Sequence, residues 1–151
     1  MKIRILVTFF ITLVLFTVCV FAQNRTVVKS KTGKRLLVGK HLLSLQWISW
    51  EKFGTATVAE KKGVLYLKGA QFSNDKSEYI KIEGFISEVG RYNFKFTGKI
   101  EMLISHINGN KVCTREGDFN FAITKKRSFW RLQEMENPCD DVVDYVDIYL
   151  H

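Results

Sequence analysis

The chain has 151 residues, with 23 Lys and Arg against 15 Asp and Glu, a net charge of +8, and 46% hydrophobic residues. That length is about one domain, which leaves little room for a catalytic domain standing beside a separate binding domain. A single core has to serve whatever the protein does.

Lys2 and Arg4 open the chain, an apolar run extends from Ile5 to Phe21, and Val20-Phe21-Ala22 precedes polar Gln23. A positive start, a short apolar stretch and compact residues at Val20 and Ala22 form the layout of a signal peptide over residues 1–22. The stretch is at the short edge for a spanning helix, so no integral membrane segment is expected after cleavage. Phe16-Thr17-Val18 lacks the small residue that a lipobox places before its cysteine, so a released chain is expected rather than one lipidated at Cys19. Cleavage would leave 21 basic and 15 acidic residues, net +6, and two cysteines, Cys113 and Cys139. In an oxidising compartment those two permit one intramolecular disulfide, and without CxxC spacing or neighbouring histidines they do not make a metal site. No cofactor is expected.

Residues 23–35 are polar and basic, with Arg25, Lys29, Lys31 and Lys34, and no apolar period ties them to a core. They are read as a flexible segment; Asn24-Arg25-Thr26 within it matches a glycosylation sequon. Residues 36–151 are read as one β domain. Period-two alternation rich in aromatic and β-branched residues predicts strands near His41 to Trp50, Thr55 to Glu60, Val64 to Phe72, Glu78 to Glu88 and Tyr92 to Ile104. Others are predicted near Lys111 to Arg115, Asp118 to Thr124, Ser128 to Met135 and Val142 to Leu150. Lys61-Lys62-Gly63, Val89-Gly90-Arg91 and Asn108-Gly109 supply short turns that join sequential antiparallel neighbours. An all-β antiparallel meander of eight or nine strands follows, and a closed barrel is preferred over a sandwich because closure removes the edges. Phe94 with Phe96, and Phe119 with Phe121 and Ile123, mark a packed face opposite a wet one.

Chemistry is less marked. His41, His106 and His151 are scattered, and no HExxH, GxSxG or phosphate-loop pattern occurs, so the expectation is a protein without catalysis. Glu134, Glu136, Asp140, Asp141, Asp144 and Asp147 make the C-terminal segment acidic, but not with EF-hand spacing. Lys125-Lys126-Arg127, with Lys29, Lys31, Lys34 and Arg35 far away in sequence, suggests a polyanion surface; no RNA-binding signature accompanies it, so nucleic acid is not the expected partner. Trp47 and Trp130 are candidate pocket-lining rings, with Trp47 and Trp50 on opposite faces if their strand is regular. In the strand Phe129 to Met135, Trp130, Leu132 and Glu134 share one face and Arg131 lies on the other. An inward Arg131 needs a carboxylate, which Asp144 or Asp147 would supply. Tyr145 completes the candidate binding set of Trp47, Trp130, Arg131, Glu134, Asp144, Tyr145 and Asp147.

The string Trp130-Arg131-Leu132-Gln133-Glu134-Met135, with Asn137-Pro138-Cys139-Asp140 and Asp144-Tyr145-Val146-Asp147-Ile148-Tyr149, resembles the C-terminal end of small exported bacterial proteins of unknown function. In architecture the chain is also similar to calycins, the lipocalin-like and avidin-like barrels, although no GxW opening precedes Trp47. The resemblance carries no established activity; the first expectation is a secreted or periplasmic bacterial binding protein whose partner is a small apolar ligand or another protein. Two other readings stay open: a hydrolase-type enzyme using Glu134, Asp144 or Asp147 with Arg131 as anion holder, and an envelope inhibitor presenting a loop near the Cys113–Cys139 bridge.

Overall fold

The computed structural model describes residues 25–150. The leader over 1–22, Cys19 and Asn24 of the sequon lie outside the described residues, as does His151.

The chain runs β1 (Val27–Val28), α1 (Lys31–Leu37), β2 (Gly39–Leu45), β3 (Gly54–Lys61), β4 (Val64–Phe72), β5 (Tyr79–Val89) and β6 (Asn93–Leu103). It continues through β7 (Cys113–Ala122), β8 (Phe129–Leu132) and β9 (Val146–Tyr149). Strands β2 to β9 pair antiparallel in chain order, and β9 returns to β2 through Leu43 opposite Ile148, so eight strands close an up-and-down barrel. β1 adds a ninth, short strand, parallel to the end of β5, with Val27 opposite Glu88 and Val28 opposite Val89.

Alternation places one side chain in two inside. Leu43 and Leu45, Ile80 and Ile82, Phe94 and Phe96, and Trp130 and Leu132 are all buried, while Leu42, Lys81, Asn93 and Lys95 beside them are exposed. The interior is filled. A continuous run of rings crosses it: His41 lies edge-on to Trp130 (5.6 Å), Trp130 to Phe94 (5.8 Å), and Phe94 stacks on Phe121 (4.9 Å). Phe96 then contacts both Phe121 (6.3 Å) and Phe119 (6.0 Å). The barrel makes room for these rings by omitting side chains from the wall. Gly84 of β5 pairs with Gly98 of β6, and a Cβ at either position would come within 2.7 and 2.6 Å of the Phe96 ring.

Three expectations need correction. The segment 23–35 does not fray where it is described: Thr26 Oγ1 donates to the Ile86 carbonyl (2.6 Å), and Lys29 N–H bonds the Val89 carbonyl (2.9 Å). Ser30 then caps α1 by accepting from Gly33 N–H (3.1 Å), and Gly33 fits only because it lacks a Cβ, which would collide with the Gly90 carbonyl. The expected domain boundary at residue 36 therefore falls inside α1. Second, β2 stops at Leu45 and Trp47 lies in the turn that follows, so strand alternation does not govern Trp47 and Trp50. Third, the separate strands predicted near 111–115 and 118–124 are one strand, β7, which passes through Gly117 without a break in register against β6.

Candidate functional site

The antiparallel meander puts the loop between β8 and β9 at the same end of the barrel as the β6–β7 loop and the turn after β2. β8 holds only two register positions against β7, Phe121 opposite Leu132 and Ala122 opposite Arg131. Beyond them one backbone bond, from the Gln133 N–H to the Asn120 carbonyl (2.8 Å), continues the pairing, and side chains then replace the ladder. Arg115 of β7 reaches across and donates to the carbonyls of Glu134 (2.8 Å) and Glu136 (3.2 Å).

The same guanidinium meets Asp144, whose carboxylate is the hub of this end. Asp144 is fully buried and accepts from Arg115 (3.0 Å), from Asn137 Nδ2 (3.0 Å) and from Trp47 Nε1 (2.9 Å). Three donors around one buried carboxylate offset its desolvation, which is otherwise costly. Burial pushes the Arg115 guanidinium below its ordinary value while Asp144 and Glu134 hold it up. Asn137 also accepts the Cys139 N–H (2.8 Å), so the hub and the disulfide share a residue. The Cys113–Cys139 bond is present, closing a separation of 26 residues, and it ties the loop to the start of β7. Loop closure of that length stabilises by about 3.5 kcal/mol on the chain-entropy account. Val112 and Val143 are exposed on the braced surface, beside Asp140 and Asp141.

A second cluster lies on the outer wall. Arg131 of β8 and Asp147 of β9 are register partners and form a two-bond ion pair (2.7 and 2.6 Å) with Asp147 wholly buried. The guanidinium stands over the Tyr145 ring (4.2 Å) and the Phe129 ring (5.1 Å), and the Asp147 bonds hold it above its ordinary pKa. Phe129 and Phe53 both contact Tyr149 (5.2 and 5.0 Å), which continues the ring cluster across β8, β9 and the start of β3.

The candidate residues therefore separate. Trp47 and Asp144 meet at the braced end, together with Cys113 and Cys139. Arg131, Tyr145 and Asp147 form the wall cluster, and Trp130 belongs to the core. Glu134 is exposed and accepts from the backbone and side chain of Asn120 (2.9 and 2.7 Å). Arg115 and Asn137, which organise the hub, are not among the candidate binding residues that the sequence suggests; the one signal is an arginine two positions after a cysteine in an otherwise alternating strand. Among the described residues, no three His, Cys, Asp or Glu side chains gather closely enough to hold a metal, and no helix is long and apolar enough to cross a membrane.

Fold and site together define a closed, filled antiparallel barrel with a disulfide-braced loop at one end. The sequence profile of the PM1083 family matches residues 25–150, and the chain belongs to that family. It is similar to a protein of Pasteurella multocida (strain Pm70) that carries the name Uncharacterized protein PM1083, with 45% identity over 113 residues, 75% of this chain and 72% of that one. No solved structure matches the chain. The expected bacterial relationship thus holds, while the likeness to lipocalin-like barrels rests on strand number and order alone.

Proposed function

We propose that the chain is an exported, non-catalytic interaction protein that meets a macromolecular partner with the outside of its barrel. The observation that carries this reading is the filled interior: Trp130, Phe94, Phe96 and Phe121 occupy the space that a small apolar ligand would need. The partner surface is the braced loop from Gln133 to Tyr145, where the hub around Asp144 and the Cys113–Cys139 bond fix the backbone before binding and so lower the entropy of association. Exposed Val143 of this loop and exposed Val112 just before β7, with the loop's carboxylates, suit a protein surface that is apolar at its centre and basic around it. Secretion or a periplasmic location in a bacterium accords with the leader-like first 22 residues and with the disulfide.

The hydrolase reading needs carboxylates that converge. Asp144, Asp147 and Glu134 are instead each held by different donors, and the two buried ones are already paired with arginines.

The test is the intact mass of protein secreted by its native host, measured under native and denaturing conditions. The reading expects a denatured mass without residues 1–22 and a native mass with no small molecule in addition. A stoichiometric non-covalent adduct under native conditions would make the protein a carrier instead.

A further inference from the structure

The two basic segments that stand at opposite ends of the sequence meet at one pole of the barrel. Alternating strand directions place α1, the β3–β4 turn, the β5–β6 turn and the β7–β8 turn at the end opposite the braced loop. Contacts tie them together: Thr26 N–H bonds the Gly63 carbonyl (3.0 Å), α1 packs at Gly33 on Gly90, and Ile123 N–H bonds the Tyr92 carbonyl (2.7 Å). Each of these elements contributes cations. Arg35 lies on α1, Lys61 at the end of β3, Lys62 in the β3–β4 turn, Arg91 in the β5–β6 turn, and Lys125 and Lys126 in the β7–β8 turn. All six are exposed, and none forms an ion pair among the described residues. The acidic groups placed at this end are Glu60 and Glu88, and both are occupied, by Lys34 (2.8 Å) and Lys29 (2.8 Å). Much of the acidic C-terminal segment, with Glu136, Asp140 and Asp141, lies at the other end, so the molecule carries its charge as a dipole along the barrel axis.

We infer that this basic pole seats the protein on an anionic membrane surface. The six cations are spread over separate elements of the pole, with only Arg35 at the α1 cleft beside Lys31 and Lys34, and that spread matches a flat sheet of phosphates better than a single nucleic-acid strand. Tyr92 stands exposed in the rim with the Arg91 guanidinium beside its ring (5.3 Å), the amphipathic pairing favoured where apolar and wet layers meet. The braced loop then points away from the membrane. Because the two surfaces are at opposite ends, this inference and the proposed partner surface stand or fall separately.

The chain beginning at Gln23, which contains every described strand and the whole buried core, is mixed with vesicles of phosphatidylcholine alone and with about one third phosphatidylglycerol, and sedimented. A basic side chain near an anionic surface contributes roughly fivefold in binding. Binding to the anionic vesicles is therefore expected to exceed binding to the neutral ones by more than about tenfold, and to weaken as salt is raised. Reversing Arg35, Lys61, Arg91 and Lys126 to Glu together should abolish the preference, whereas reversing Lys68, Lys81, Lys99 and Lys111, on the wall and the far end, should change it by less than about threefold. Circular dichroism melts confirm that both variants fold. Failure of the unaltered chain to prefer anionic vesicles, equal losses in the two folded variants, or tighter binding to a single-stranded DNA oligonucleotide at the same salt would each overturn the inference.

Discussion

Asp144 and Asp147 are three residues apart, both wholly buried, and each faces an arginine, yet they do different work. Asp147 balances one guanidinium within a flat wall of rings, whereas Asp144 joins three separate segments through Arg115, Asn137 and Trp47. Removing one partner of a buried pair leaves an uncompensated charge, so Asp147→Ala should cost about 3 to 5 kcal/mol in urea unfolding. Asp144→Ala should cost at least as much and also shift the emission of Trp47, which loses its acceptor; a cost below about 1 kcal/mol for either would contradict the burial of the pairs. Asp75 offers a test in pH. Hydrogen bonds from Ser73 and from Ser77 lower its pKa from 3.8 to about 2. A carboxyl depressed on folding contributes stability above its unfolded value that is lost as pH falls through the folded one. The Ser77 amide signal, reporting its bond to Asp75, should therefore titrate with a midpoint near 2; a midpoint near 3.8 would mean that the bonds do not form in solution.

At the scale of elements, the β8–β9 connection shows how a barrel gap can be closed without a ladder. β7 extends well past the end of β8, and the space is bridged by Arg115, by Glu134 on Asn120, and by the Cys113–Cys139 bond. Replacing both cysteines with Ser should lower stability by about 3.5 kcal/mol and speed amide exchange between residues 133 and 145, while the β signal in circular dichroism persists. Global unfolding at ordinary temperature would show that the loop holds the barrel rather than the reverse. Strands such as Val64–Phe72 were legible because alternating burial writes itself into alternating residues. α1 was not: seven residues hold too little helical period, and the features that fix it, a Ser30 cap and a glycine pressed on Gly90, depend on a turn far along the chain. The Arg131–Asp147 pair was within reach because both lie on adjacent strands, whereas Arg115 and Asn137 gained their roles only when a loop folded back over the end of β7.

For the whole molecule, up-and-down closure of eight strands is compatible with a hollow calyx or a filled core, and side-chain size decides between them. Phe96 lies over Gly84 and Gly98, and Trp130 joins His41 to Phe94, so the rings fill the centre from wall to wall. Gly98→Ala should destabilise by about 1 to 3 kcal/mol in urea unfolding, since the added methyl meets the Glu83 carbonyl first and then the Phe96 ring; a neutral substitution would contradict the close packing of β5, β6 and that ring. A filled barrel leaves binding to its ends and outer wall, which is where the braced loop and the basic pole are found. The most direct measurement is methyl NMR of the isotope-labelled chain, following Leu67, Ile82 and Ile100 in the core during titration with an apolar extract of the native host. The core methyl signals should stay in place throughout. Saturable shifts at those positions would show a ligand inside the barrel and contradict an interaction protein that works from its surface.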